Sequence, residues 1–78
     1  MSAGKDFVAL SLCVLTVSDT RSADNDSSGD YLAQALAAAG HRLHARAIVP
    51  DDKSRLRALV SNWIAVEAVD GILVTGGT

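Results

Sequence analysis

Phe7-Val8-Ala9-Leu10-Ser11-Leu12-Cys13-Val14-Leu15-Thr16-Val17-Ser18 is the stretch whose reading decides the fold. Apolar side chains fill it without the strict alternation of a strand that has one wet face. A run apolar on both faces suits a central strand of a parallel sheet, covered from both sides. The run falls short of the ~20 residues that a membrane-spanning helix needs. With Lys5 before it, it loosely imitates a secretory signal. Asp6 interrupts that pattern, Val and Ser/Thr alternate with Leu near the end, and no Ala-x-Ala site follows. Residues 1–6 then read as a loose leader and residues 7–78 as part of one domain.

The chain after the run is polar from Ser18 to Asp30, longer than the ~2–6 residues usual between a strand and a helix. Asp26, Ser27 or Ser28 can cap a helix whose stripe is Leu32, Ala35, Leu36 and Ala39. Gly40 offers the left-handed residue that ends it. Residues 42–49 have period two, with Leu43, Ala45, Ala47 and Val49 on one side and Arg42, His44, Arg46 and Ile48 on the other. That pattern predicts a half-covered edge strand. Pro50 breaks it. Asp51 and Asp52 precede a second helix with the stripe Leu56, Leu59, Val60, Trp63 and Ile64. Asp70-Gly71 reads as a turn, Ile72-Leu73-Val74 as a short strand, and Thr75-Gly76-Gly77-Thr78 as a glycine turn directly after it.

Strands alternating with amphipathic helices imply an open α/β domain with parallel pairing and helices on both faces, a three-layer arrangement. The most apolar strand belongs in the middle, so the local strand order is 2-1-3. Composition agrees. The chain has 78 residues, 49% of them apolar, and a formal net charge of -2. There is no basic excess of the kind a general nucleic-acid binder shows. Arg42, Arg46, Arg55 and Arg57 are interspersed with acids and alanines and read as solvated faces. His41 and His44 read as surface residues and Trp63 as core. Cys13 is the single cysteine, which excludes an internal disulfide framework. An inert buried thiol in a reducing cytoplasm is the reading that fits.

In an open parallel sheet, ligands bind beyond the carboxyl ends of the strands, where strand order reverses. Two segments meet there: Ser18-Asp19-Thr20-Arg21-Ser22 after the first strand, and the glycine turn after the third. Glycine lets an anion approach the backbone, and successive amides can form a nest for phosphate. Thr75 and Thr78 add hydroxyls. Arg21 can hold a phosphate bidentately or pair with Asp24 or Asp26 at the surface. Asp19 can hold a metal or close an ordinary Asx turn. Of Asp51 and Asp52, one can cap the helix and the other can face substrate or Mg²⁺.

Four segments together carry a resemblance: residues 14–22, Asp26-Ser27-Ser28-Gly29, Ala47-Ile48-Val49-Pro50-Asp51, and Ile72-Leu73-Val74-Thr75-Gly76-Gly77-Thr78. In order and spacing they resemble the MoaB/MogA family of molybdenum cofactor biosynthesis, to which gephyrin's cofactor domain also belongs, and the MoaB branch more than MogA. The resemblance implies a three-layer α/β domain that binds molybdopterin. For active members it implies adenylylation of the pterin's terminal phosphate by ATP with Mg²⁺. It also implies a homotrimer or hexamer. Carried over by position, Asp51 is the acid implicated in catalysis or metal binding. Gly76, Gly77 and Thr78, with Thr75 before them, begin the ligand-contacting loop, and Ser18, Asp19 and Arg21 belong to the first-strand loop of the site. Family members continue well past the glycine loop, so residues 7–78 match only the N-terminal part of the domain, without a second catalytic acid. An enzyme is one expectation for the intact protein. A non-catalytic molybdopterin carrier or scaffold is the alternative, and an α/β domain for another phosphorylated ligand is a third.

Overall fold

The computed structural model describes residues 8–19 and 25–76. Strand β1 spans Ser11–Val17, helix α1 Ser27–Ala38, strand β2 Arg42–Val49, helix α2 Lys53–Ala65 and strand β3 Gly71–Gly76. The sheet order is β2-β1-β3, and both pairings are parallel. The expected α/β architecture and the central place of the first strand are thus observed.

β1 is central because both of its faces are apolar. Cys13, Leu15 and Val17 pack with Trp63 of α2, together with Ala45, Ala47, Val49, Leu56, Leu59 and Val60. Leu12 and Val14 pack with Leu36 of α1, beside Leu32 and Leu73. Successive residues of a strand point to opposite faces, so the two helices lie on opposite sides of the sheet. Cys13 is fully buried, and that burial pushes its thiol up despite a hydrogen bond with the Ala45 backbone. It is the buried thiol expected.

Several sequence expectations need correction. β1 begins at Ser11, and Val8 and Leu10 are exposed before it. The buried face of α1 is Gly29, Leu32, Ala33 and Leu36, while Ala35 and Ala39 lie exposed. The stripe has helical spacing but starts on a glycine that pattern reading passes over. β2 keeps its expected limits, but its register steps from Leu12–Leu43 to Cys13–Ala45. His44 then has no opposite residue on β1, a bulge that takes Leu43 out of line with Ala45 and leaves it exposed. Ile64 is 71% exposed and lies off the buried face of α2. His41 is half-buried, and its Nδ1 accepts the Leu10 N–H at 3.0 Å. Asp70-Gly71 is no free turn: Gly71 starts β3, the Asp70 N–H donates to the Ser11 carbonyl, and the Asp70 carboxylate accepts the Ser11 N–H.

The helix ends follow local chemistry. Asp26 caps α1 by accepting the Gly29 N–H, and Gly40, with φ at 91°, closes it. The Gly40 N–H reaches the Ala37 carbonyl and the His41 N–H reaches Leu36, the paired bonds of a Schellman ending. Asp52 caps α2, its Oδ1 accepting the Ser54 and Arg55 amides at 2.9 and 3.2 Å.

Arg46 is the largest departure from expectation. It is not a solvated residue of the edge strand. Its Nη2 donates to the fully buried Asp26 carboxylate at 3.0 Å and to the Asp26 carbonyl at 3.2 Å, and it pairs with Asp30 at 2.7 Å. The buried Thr16 hydroxyl donates to Asp26 Oδ2 at 2.8 Å. Gly29 completes the cluster, because a Cβ there would collide with Asp26 Oδ2 and lie 2.8 Å from Thr16 Oγ1. Burial alone would push the Asp26 carboxyl up. The hydrogen bonds from Arg46, Thr16 and the Gly29 amide, with the Arg46 charge, outweigh it and hold the carboxyl below the usual range.

Two outcomes follow for the intact protein. Gly29→Ala should destabilise it by about 1–3 kcal/mol, as overpacking of a filled site does, read from the denaturant midpoint. An unshifted midpoint would show that the cluster is not tightly packed. The lowered Asp26 value means that the unfolded chain takes up the proton more readily. Its contribution is complete above the ordinary aspartate value of about 3.9 and is lost as pH falls through the lower folded value. Thermal midpoints should therefore drop below about pH 4, and less steeply in Asp26→Asn than in the parent.

Candidate functional site at the carboxyl edge of the sheet

The three strands end in line. Val17 is opposite Val49 on one side and Gly76 on the other. The carboxyl ends of β1, β2 and β3 therefore lie side by side, with β2 and β3 about 10 Å apart across the central strand. The order β2-β1-β3 puts the reversal point between β1 and β3, where the sequence places it.

Five of the expected site residues lie at this edge: Ser18, Asp19, Asp51, Thr75 and Gly76. Arg21, Gly77 and Thr78 lie outside the described residues. Ser18 extends the β1–β2 ladder, its N–H donating to the Val49 carbonyl at 3.0 Å. Thr75 and Gly76 still belong to β3, paired with Thr16 and Val17, so the first half of the expected glycine turn is strand, and its second half lies outside the described residues. Thr75 sits beside Thr16, on the face of the sheet that carries α1.

Gly76 is required where it stands. Its φ of 93° lies in the left-handed region that side chains disfavour. A Cβ there would strike the Val17 carbonyl oxygen and lie 3.1 Å from the Val17 nitrogen. The strand's last residue thus lies with its backbone tight against β1. The requirement for glycine is accounted for by the backbone of β1 itself.

The acids at this edge have different tasks. Asp52 spends its carboxylate on the α2 cap. Asp19 Oδ1 accepts the Asp51 N–H at 3.1 Å. The Asp52 N–H closes back on the Pro50 carbonyl at 2.7 Å, a tight turn with Asp51 at its apex. The Asp51 side chain is exposed, and no hydrogen bond or ion pair is seen for it among the described residues. Of the two neighbouring acids, the cap and the solvent-facing carboxylate are therefore resolved as Asp52 and Asp51. No group of three or more His, Cys, Asp or Glu arranged for a metal occurs among the described residues. A lone carboxylate is nonetheless a normal Mg²⁺ partner when phosphates and water complete the shell.

Sequence reading missed two links that shape this edge: the Asp26–Arg46–Thr16 cluster and the Asp19–Asp51 bond. The first had a usable signal in Asp26-x-x-Gly29, a cap whose third helical residue is glycine. The second had none, because Asp19 and Asp51 are 32 residues apart. No helix among the described residues is long and apolar enough to cross a membrane.

A family model described as a probable molybdopterin binding domain matches residues 13–78. Molybdenum cofactor biosynthesis protein B of Escherichia coli K12 is 41% identical over 73 residues, covering 94% of this chain and 43% of that protein. The protein of the same name from Bacillus subtilis 168 is 42% identical over 65 residues, covering 83% of this chain and 38% of its own length. A crystal structure of a molybdenum cofactor biosynthesis protein B superposes with a TM-score of 0.86 at 37% identity, covering 91% of this chain and 44% of the other. The chain thus spans about two fifths of the length of the curated relatives it matches.

The geometry at Gly76 yields its own test. Gly76→Ala should destabilise the intact protein by about 1–3 kcal/mol, through strain at a left-handed position together with the collision with Val17. Calorimetry reads it, and an unchanged melting temperature would show that β3 can end in another conformation.

Proposed function

The chain belongs to the family of molybdopterin-binding domains that includes the B proteins of molybdenum cofactor biosynthesis, and from that premise we propose that it supplies the N-terminal half-site of a molybdopterin adenylyltransferase. The reaction moves AMP from ATP to the terminal phosphate of molybdopterin, with pyrophosphate leaving. The observation that carries the proposal is the Asp51 carboxylate, exposed at the sheet's carboxyl edge and unengaged by any described residue, across β1 from the left-handed Gly76.

The roles combine the positions of Ser18, Asp51, Thr75 and Gly76 with the family resemblance, which alone supplies those of Arg21, Gly77 and Thr78. Gly76, with Gly77 and Thr78 after it, offers backbone to a phosphate. Thr75 and Ser18 flank that position from β3 and β1, and Arg21 supplies the cation of the first-strand loop. Asp51 holds Mg²⁺ or orients the reacting groups. Mg²⁺, arriving with ATP, supplies neutralisation of phosphate charge. The protein's own part is to hold two anions in line and keep them there, which is where most catalysis of such transfers arises. The remaining contacts and a trimeric or hexameric assembly in the cytoplasm belong to the intact protein.

Asp51→Ala in the intact protein should lower AMP transfer by about 10²-fold or more. Molybdopterin affinity should stay within about threefold, less than the loss of one good hydrogen bond would cause. Pyrophosphate release and calorimetric titration measure the two. Undiminished turnover would remove Asp51 from the mechanism. Pterin binding by the parent protein without any AMP transfer would replace the enzyme with the carrier or scaffold.

A further inference from the structure

The β1–β2 ladder ends in an unusual exchange of partners. In a parallel pair, one residue donates its N–H to the opposite strand and accepts through its C=O from two residues further on. Ser18 donates to Val49. The matching rung would run from the Asp51 N–H to the Ser18 carbonyl. The Asp51 N–H instead goes to the Asp19 side chain at 3.1 Å. Pro50, with no N–H, cannot offer an alternative. A side-chain carboxylate thus stands in for the main-chain acceptor at the rung that bears the candidate catalytic acid.

The consequence is local rigidity. Asp51 is held on its amino side by Asp19 and on its carboxyl side by the Asp52-to-Pro50 bond. Asp52 is itself fixed as the cap of α2. We propose that Asp19 is a positioning residue: it sets the Asp51 backbone, and so the direction of the Asp51 carboxylate, and does not itself contact ligand or metal. This deepens the assignment of Asp51 and rests on it for its catalytic meaning. The structural part, that the Asp19 carboxylate restrains the Asp51 amide, stands independently.

The test uses the intact protein, with Asp19→Asn and Asp19→Ala. Asparagine keeps an oxygen that can accept the Asp51 N–H, and alanine keeps nothing. The first readout is hydrogen exchange at the Asp51 amide, followed by NMR without substrate. Exchange should accelerate about tenfold in Asp19→Ala and by no more than about threefold in Asp19→Asn, as expected for losing or weakening one hydrogen bond to a charged group. The second readout is AMP transfer to molybdopterin at saturating ATP and Mg²⁺. There kcat should fall about tenfold in Asp19→Ala and be largely rescued in Asp19→Asn, with KM for ATP moved less than kcat. Unchanged Asp51 exchange in Asp19→Ala overturns the proposal. So does an Asp19→Asn variant that keeps the amide protected yet loses activity as Asp19→Ala does, because the carboxylate charge would then act directly on ligand or metal. If the parent protein transfers no AMP, the adenylyltransferase reading falls, and the exchange measurement still decides whether Asp19 sets Asp51.

Discussion

The Asp26 carboxylate has no exposed surface, and three elements meet on it. Withdrawing a carboxylate from water costs several kcal/mol unless charge and hydrogen bonds replace the solvent. Here Thr16 of β1, Arg46 of β2 and the Gly29 amide of α1 do so together. The absent Cβ of Gly29 makes the space. None of the four is useful without the others, since an unpartnered Asp26 would not stay buried and a side chain at residue 29 would displace it. The cluster thus fixes the start of α1 relative to two strands. It also fixes the far end of the segment that leaves the sheet at Ser18.

A second constraint acts on the central strand. β1 must be sealed at its ends, where the ladder runs out and main-chain groups meet water. Side chains do this at three rungs: His41 accepts from Leu10, Asp70 from Ser11, and Asp19 takes the amide of Asp51. At the amino end the result is purely structural, because the clamps hold β2 and β3 in register. At the carboxyl end the same device falls on the residue with a solvent-facing carboxylate. One piece of backbone chemistry serves the fold at one edge and the candidate site at the other.

The architecture was legible because it rests on local signals. The two-sided run around Leu12–Val17, the period of residues 42–49 and Gly40 each report a nearby requirement, and the strand order follows from them. What escaped depends on distant partners. Arg46 looks like any polar residue of an edge strand until Asp26 is known to lie beneath it. Ile64 has the right spacing for the buried face, but α2 covers the sheet only along Leu56, Leu59, Val60 and Trp63. Leu43 obeys period two, and a bulge at His44 moves it off its row. At the candidate site, the identity of the cap could not be chosen between Asp51 and Asp52 from sequence, since either satisfies the same local rule. Only the turn at Pro50 decides it.

The acids also constrain what this edge can receive. Asp19, Asp51 and Asp52 lie near the end of β2, while the half-buried Arg46 is spent on Asp26 and Asp30. On the β2 side Arg55 lies 4.0 Å from Asp52, which leaves Asp19 and Asp51 as the acids facing a ligand there, whereas the β3 side presents Gly76 and Thr75. In the proposed adenylyltransferase, the phosphate position then falls above the β1–β3 reversal, with Asp51 on the far side of β1. The backbones of β2 and β3 are about 10 Å apart at this edge, and one Mg²⁺ with oxygen ligands at about 2.1 Å spans only about 4 Å, so the rest of the gap falls to the Asp51 side chain and to the length of the ligand's own phosphate chain. In the proposed adenylyltransferase, the separation of Asp51 from Gly76 thus favours an extended polyphosphate carrying its metal over a bare phosphate, which is too short to reach both.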